Sequence, residues 1–176
     1  MRSVTDKADT LALFAALCIF LSTVEYLIPK PIPFLRLGLA NLPILLSLTF
    51  FSLPSVISLI VLKVLGQGLI NGTLFSYIFL FSLSGSVASG LIMMVAYRLL
   101  KRWISLIGVS VLGALASNLV QLLVARYILL GEGAWIIGPP FLAIGLVSSF
   151  FIGLFGKLFS ERSKWFDSVR IKWAQK

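Results

Sequence analysis

Six apolar stretches, at residues 11–28, 37–51, 55–70, 73–99, 104–130 and 135–159, take up most of this 176-residue chain. Hydrophobic side chains make up 59% of it and charged ones only 12%, with a mean hydropathy of +1.06. Soluble domains carry about 25% charged residues, so the chain has about half the usual supply for a water-facing surface. A helix needs about 20 apolar residues to cross a hydrocarbon core about 30 Å thick. The expected fold class is therefore all-α: one polytopic membrane helix bundle of about six transmembrane helices over residues 1–159. Residues 160–176 are expected to form a basic cytoplasmic amphipathic tail, where Trp165, Phe166, Val169 and Trp173 alternate with Lys and Arg. The second and third stretches are short for a bilayer, which leaves a re-entrant segment open.

The net charge of +9 would point to nucleic acid in a soluble protein, but here its placement sets topology. With six passes, both termini share a side with eleven of the fifteen Lys and Arg residues, and the opposite side holds only Lys30 and Arg36. The positive-inside rule puts both termini in the cytoplasm, with the lipid bilayer and not nucleic acid as the partner of the basic tail. The expected location is a cell membrane, crossed several times. Trp103 and Trp135 then fall at opposite interfaces.

This topology gives each embedded polar residue a depth. Glu25, Arg36 and Asn41 lie near the outer ends of the first two spans. Lys63 is near the middle of the third, with Gln67 and Asn71 further out at i+4 and i+8, a stripe that drifts through only about 80°. Asn118 is near the middle of the fifth span, Gln121 shares its face, and Arg126 lies further out. A charged Lys or Arg at the centre of a bilayer costs at least about 2.5–3.5 kcal/mol, so it normally faces a partner or a polar cavity. The expected substrate-binding set is therefore Glu25, Arg36, Asn41, Lys63, Gln67, Asn71, Asn118, Gln121 and Arg126, around a pocket open to the outside. Three cations against one carboxylate leave room for a small anionic solute. The alternative is structural: Arg36 and Arg126 snorkel to headgroups, Glu25 pairs with Lys63, and the amides join helices.

Ala8, Ala12 and Ala16 recur every four residues on the first span, a strip that serves either close packing inside the bundle or docking of another membrane protein. With no histidine and one cysteine, Cys18, a histidine-based metal site and an internal disulfide are excluded, and no cofactor is expected. There is no phosphate-binding loop of the G-x-x-x-x-G-K-[ST] kind, so any ATP hydrolysis must come from a partner. No nucleophile–base constellation or aspartate-rich magnesium site appears, and no enzyme activity is expected.

An ordered series of short segments carries a resemblance: Glu25-Tyr26-Leu27-Ile28-Pro29, Leu37-Gly38-Leu39-Ala40-Asn41-Leu42, Gly72-Thr73-Leu74-Phe75-Ser76, Ser82-Leu83-Ser84-Gly85, Gly108-Val109-Ser110 and the run from Ser117 to Ala125. Together, over about residues 10–155, they resemble the bacterial family labelled heptaprenyl diphosphate synthase component I, also called the Gx transporter family. The bundle is also similar to the substrate-binding (S) subunits of energy-coupling factor transporters. That resemblance implies a docking role for the alanine strip, matched by Ala12 and Ala16, on an energising transmembrane subunit with ATPases. It also implies a ligand held near the outside by later helices and by the loops after helices one, three and five. The family label carries a second expectation, a noncatalytic membrane component associated with a polyprenyl diphosphate synthase.

Overall fold

The computed structural model describes residues 2–29, 37–100 and 103–174. Its elements are α1 (Arg2–Leu27), a 3-10 turn (Leu39–Asn41), α2 (Leu42–Ser47), α3 (Leu53–Ile70), α4 (Tyr77–Leu99), α5 (Leu106–Ala125), α6 (Ala134–Arg162) and α7 (Lys164–Ala174). No strand occurs among the described residues. The outward side chains of the long helices are apolar, with Phe20, Val61, Leu65, Leu91 and Phe151 all exposed. The buried set includes Ser22, Lys63, Gln67, Ser89, Asn118 and Gln121. That inversion of the soluble pattern leaves a continuous apolar exterior, the surface a bilayer covers. Residues 7–27, 53–70, 77–99 and 106–162 are each long and apolar enough to cross a membrane, and the last contains two helices, α5 and α6.

Close contacts fix the directions of the helices. Gly153 of α6 lies against Ile107 and Ser110 of α5, while Gly138 lies against Leu122, so α5 and α6 are antiparallel. Gly85 meets Gln121 and Gly113 meets Met93, which makes α4 and α5 antiparallel too. Gly68 against Phe79 and Gly90 against Ile60 reverse α3 relative to α4. α1 and α3 run parallel, because Phe14 packs on Phe51 near the start of α3 and Ile19 packs on Gly66 near its end. Residues 37–51 must therefore return the chain between them.

That return differs from a regular span. Only the 3-10 turn and a six-residue α2 are helical before the chain turns at residues 48–50. The segment runs from the level of Glu25 to the level of Phe14, a distance of about 16 Å along α1 at 1.5 Å per residue. It crosses about half a hydrocarbon core. Pro43 sits in the first turn of α2, where its missing N–H costs nothing, and the left-handed Gly38 at φ 85° stops helix from continuing back toward α1.

The fifth stretch also ends early. α5 stops at Ala125, and a π-turn over Arg126–Leu130 and a 3-10 turn over Gly131–Gly133 lead into α6, with Gly131 at φ 52° supplying the left-handed step. At the opposite end, an aromatic cluster joins Phe14, Phe50, Phe51, Phe159, Phe166 and Trp173 by edge-to-face contacts. α6 reaches Arg162, and α7 lies back on the bundle, burying Phe166 and Val169. The Lys7 ammonium sits 4.9 Å from the ring of Trp173, so the N-terminal part of α1 and α7 share one end of the bundle. Trp103 and Trp135 are exposed at opposite ends of α5.

Candidate binding site

The site starts from a carboxylate inside an apolar helix. Glu25, on the last turn of α1, is only 5% exposed. Such a group needs donors, and the main chain supplies them. Its Oε1 accepts from the backbone N–H of Leu37 at 2.8 Å and of Gly38 at 3.2 Å, and its Oε2 accepts from Leu39 N–H at 2.9 Å. Three successive N–H groups converge because Gly38 takes a positive φ, forming a small anion-binding nest. The nest tethers the start of the short return segment to α1. It also positions Asn41, whose Nδ2 donates to Ser89 Oγ of α4 at 3.3 Å.

Asn41 Oδ1 in turn accepts from the Lys63 ammonium at 2.6 Å. Lys63 is 3% exposed, too deep in α3 to reach water by extending its side chain. These groups line one cavity with Gly38, Ala40, Ser86 of α4, Ala114, Ser117 and Asn118 of α5, and Gly145 of α6. Each helix contributes through its small residues. A Cβ on Gly145 would collide with Asn118 Nδ2, and a Cβ on Gly85 would collide with Gln121 Nε2, so the glycines make room for the amides. The cavity measures about 20 Å³, enough for about one water molecule. As it stands it is a small polar void.

The residues singled out in the sequence divide accordingly. Glu25, Asn41, Lys63 and Asn118 meet at the cavity. Gln67 is buried one turn above Lys63, and Asn71 caps the end of α3 with its Nδ2 buried, but neither lines the void. Gln121 is fully buried, donating to Ser117 Oγ at 3.0 Å, and stands beside the lining without reaching it. Arg126 is apart from the others: it pairs with Glu132 at 2.6 Å and lies 5.2 Å from the Trp135 ring. Its charge is matched outside the cavity. Arg36 lies outside the described residues. Among the described residues, the lining carries one formal cation, Lys63, and one formal anion, Glu25.

Sequence reasoning missed the N–H donors of residues 37–39, the hydroxyls of Ser86 and Ser117, and Gly145. The one available signal for the nest was Gly38, a glycine opening a short apolar segment. Gly145 had no signal beyond being small.

The polar core of the bundle lies at the meeting of five of its helical segments, in a part of the chain that can be compared as a unit. Residues 14–159 match the model of the family described as heptaprenyl diphosphate synthase component I. The chain belongs to that family. Every residue lining the cavity of this component I protein, from Glu25 to Gly145, falls inside the matched segment, whereas Ala8, Ala12 and α7 fall outside it. No curated protein and no solved structure matches it.

The Glu25 nest gives a direct prediction. In Glu25→Gln one acceptor oxygen becomes an NH₂ group facing an N–H donor, so at least one of the three bonds is lost. Hydrogen exchange at Leu37, Gly38 and Leu39 is expected to accelerate about tenfold, the consequence of about 1.4 kcal/mol. Unchanged exchange at these amides would show that the nest does not hold the segment.

Proposed function

We propose that this chain is a membrane substrate-binding subunit that captures a small solute carrying one acidic group and is energised by partner subunits. The observation that carries this reading is the Lys63 ammonium in the wall of a polar cavity, 3% exposed at mid-helix. Glu25 faces the same void and is held by three N–H donors, and Lys63 supplies the described cation of the lining. A single carboxylate or phosphate oxygen, flanked by the amides of Asn41 and Asn118 and the hydroxyls of Ser86 and Ser117, fits that chemistry. Gln67, Asn71, Gln121 and Arg126, which do not line the void, are assigned no direct ligand contact there.

A solute enters only if the void grows, and the short return segment, which carries Gly38 and Asn41, forms one wall of it. It crosses half a membrane and is tied to α1 by Glu25. Release of the tether opens the cavity on the side of residues 37–39. With the basic residues read by the positive-inside rule, that side is the outer face of a bacterial inner membrane, and both termini are cytoplasmic.

Ala8, Ala12 and Ala16 all lie on the exposed outside of α1, while Ala15 is buried. An outward flat strip favours the docking alternative over internal packing. The partner in this reading is an energising transmembrane subunit with ATPases. The double variant Ala12→Leu/Ala16→Leu is expected to keep its thermal midpoint within about 2 °C, because neither residue packs inside the bundle. It should lose co-purification of the ATPase-bearing partner from native membranes. Undiminished recovery of that partner by the variant would sink the docking assignment.

A second reading has its own support. The family description favours a noncatalytic membrane component that works with a polyprenyl diphosphate synthase. Diphosphate chemistry uses magnesium held by clustered acids, and among the described residues no group of three His, Cys, Asp or Glu comes together. In this reading the chain brings the membrane and its lipid to a soluble enzyme. Co-purification of a synthase in place of an ATPase would select it.

A further inference from the structure

The polar void holds about one water, so a bound solute extends beyond the present lining. Three lining residues have a polar neighbour one helical turn away on the same face. Gln67 follows Lys63 by four residues on α3, Ser82 precedes Ser86 by four on α4, and Gln121 follows Ser117 by four on α5. Because α4 is antiparallel to α3 and α5, all three neighbours are displaced the same way, toward the end of the bundle where α1, α3 and α5 finish. They form a second tier about 6 Å beyond the first, at 1.5 Å per residue. At 3%, 1% and 0% exposed, Gln67, Ser82 and Gln121 are as deeply buried as Lys63 itself.

Two atoms of this tier are unmet. Ser82 Oγ and Gln121 Oε1 have no hydrogen-bond partner among the described residues, although the nitrogen of the Gln121 amide donates to Ser117 Oγ at 3.0 Å. That bond ties Gln121 to a residue of the lining. A Cβ on Gly85, three residues after Ser82 on the same face of α4, would collide with the same amide, so Ser82 and Gln121 belong to facing helix surfaces. On α6 the tier is closed by Phe141, four residues before Gly145 and fully buried with Phe81 and Ala125. Buried polar groups normally find partners, and two unmet ones beside a binding void call for a partner that arrives with the ligand.

The chemistry of that partner follows from the two atoms. Gln121 Oε1 only accepts, whereas the Ser82 hydroxyl both donates and accepts. An apolar group suits Phe141 but leaves both atoms unmet. A second carboxylate brings acceptors alone and cannot serve the amide oxygen. An ammonium brings donors, but its charge would be buried among uncharged side chains. A carboxamide brings two donors and one acceptor without a charge. We infer that the solute is a small acid carrying a carboxamide about one helical turn from its acidic group, with the acid at Lys63 and the carboxamide between Ser82 and Gln121. The acid end rests on the substrate-binding reading, while the Ser82–Gln121 subsite rests on its own two atoms.

The test is thermal unfolding of the full chain in detergent, with apparent dissociation constants taken from the rise of the midpoint with ligand concentration. The probes are glutaramate, its apolar isostere 5-methylhexanoate and the ammonium-bearing 5-aminopentanoate. Glutaramate is expected to bind about tenfold tighter than either of the others, or better. Ser82→Ala and Gln121→Leu should each bring glutaramate to within about threefold of 5-methylhexanoate in the same variant. Without ligand, Ser82→Ala should raise the midpoint by about 2 °C, because an unmet hydroxyl is removed. A lowered midpoint means that the hydroxyl is already satisfied, by a bridging water for instance, and overturns the subsite. Equal binding of glutaramate and 5-methylhexanoate, both lost in Lys63→Met, also overturns the subsite but leaves the Lys63 reading standing. Equal or tighter binding of 5-aminopentanoate overturns the carboxamide assignment, as does the lack of any shift with glutaramate. Full glutaramate affinity in Lys63→Met, weakened by Ser82→Ala, overturns the Lys63 reading and leaves the subsite standing.

Discussion

Lys63→Met is expected to abolish ligand-dependent stabilisation and to lower the stability of the unliganded protein. A ligand that binds only the folded state stabilises it by about 2.7 kcal/mol at a hundred times its dissociation constant, and this entire increment should vanish. Methionine fills nearly the same volume in α3 and loses only the ammonium, so no cavity forms. Removing a buried charge relieves its desolvation cost, while the loss of the 2.6 Å bond leaves Asn41 Oδ1 short of a donor, at about 1–3 kcal/mol. The change also leaves the buried Glu25 carboxylate without the described cation of its lining, so the basal midpoint is expected to fall. The measurement is a thermal unfolding series on purified protein with small carboxylates and phosphates, run in parallel for the wild type and the variant. A ligand that raises both midpoints equally would remove Lys63 from the site.

Gly153→Val is expected to produce the largest loss of stability of any single change considered. A Cβ at Gly153 would stand 2.7 Å from the Cα of Ile107 and 3.0 Å from the Cβ of Ser110. The first of these is main chain and cannot rotate aside, so α5 and α6 must separate. Separation also stretches the bond from Ser110 Oγ to the carbonyl of Ser149, now 2.9 Å. Overpacking costs of about 1–3 kcal/mol, added to a buried hydrogen bond worth about 1 kcal/mol, give an expected loss of about 3 kcal/mol. Gly133→Ala is the control, because nothing lies within 4 Å of a Cβ there and its φ of −61° suits alanine. The two variants should differ clearly in thermal midpoint in the same detergent, and equal midpoints would contradict this packing.

The parts of this fold legible in the sequence were those in which one helix decides the matter. Long apolar runs gave α1, α3, α4, α5 and α6, because an 18-residue or longer helix buries or exposes its own surface with little help from neighbours. The short return segment was harder. Its apolar run of residues 37–51 reads like its neighbours, and only the tether between Glu25 and residues 37–39 shows why so few residues suffice. The polar set divided for the same reason. Helical spacing places Lys63, Gln67 and Asn71 on one stripe, but the stripe drifts, and the cavity stops at Lys63. Arg126 lies beyond the last regular turn of α5, so its partner comes from the following loop, at Glu132, where helical periodicity has no reach. The main-chain donors around Glu25 leave no mark in a side-chain pattern at all.

α1 carries two features that have been treated separately. Its outward alanines and Glu25 lie on one uninterrupted helix, with Ala16 and Glu25 about 13 Å apart along its axis. A hydrogen-bonded helix transmits displacement along its length, so a push or tilt delivered at Ala12 and Ala16 arrives at the carboxylate that pins residues 37–39. Meanwhile α4, α5 and α6 are locked together by glycine-to-side-chain contacts that leave them little freedom to follow. A partner docked on the alanine strip, as proposed, would thus steer the return segment through Glu25 and against α4, α5 and α6.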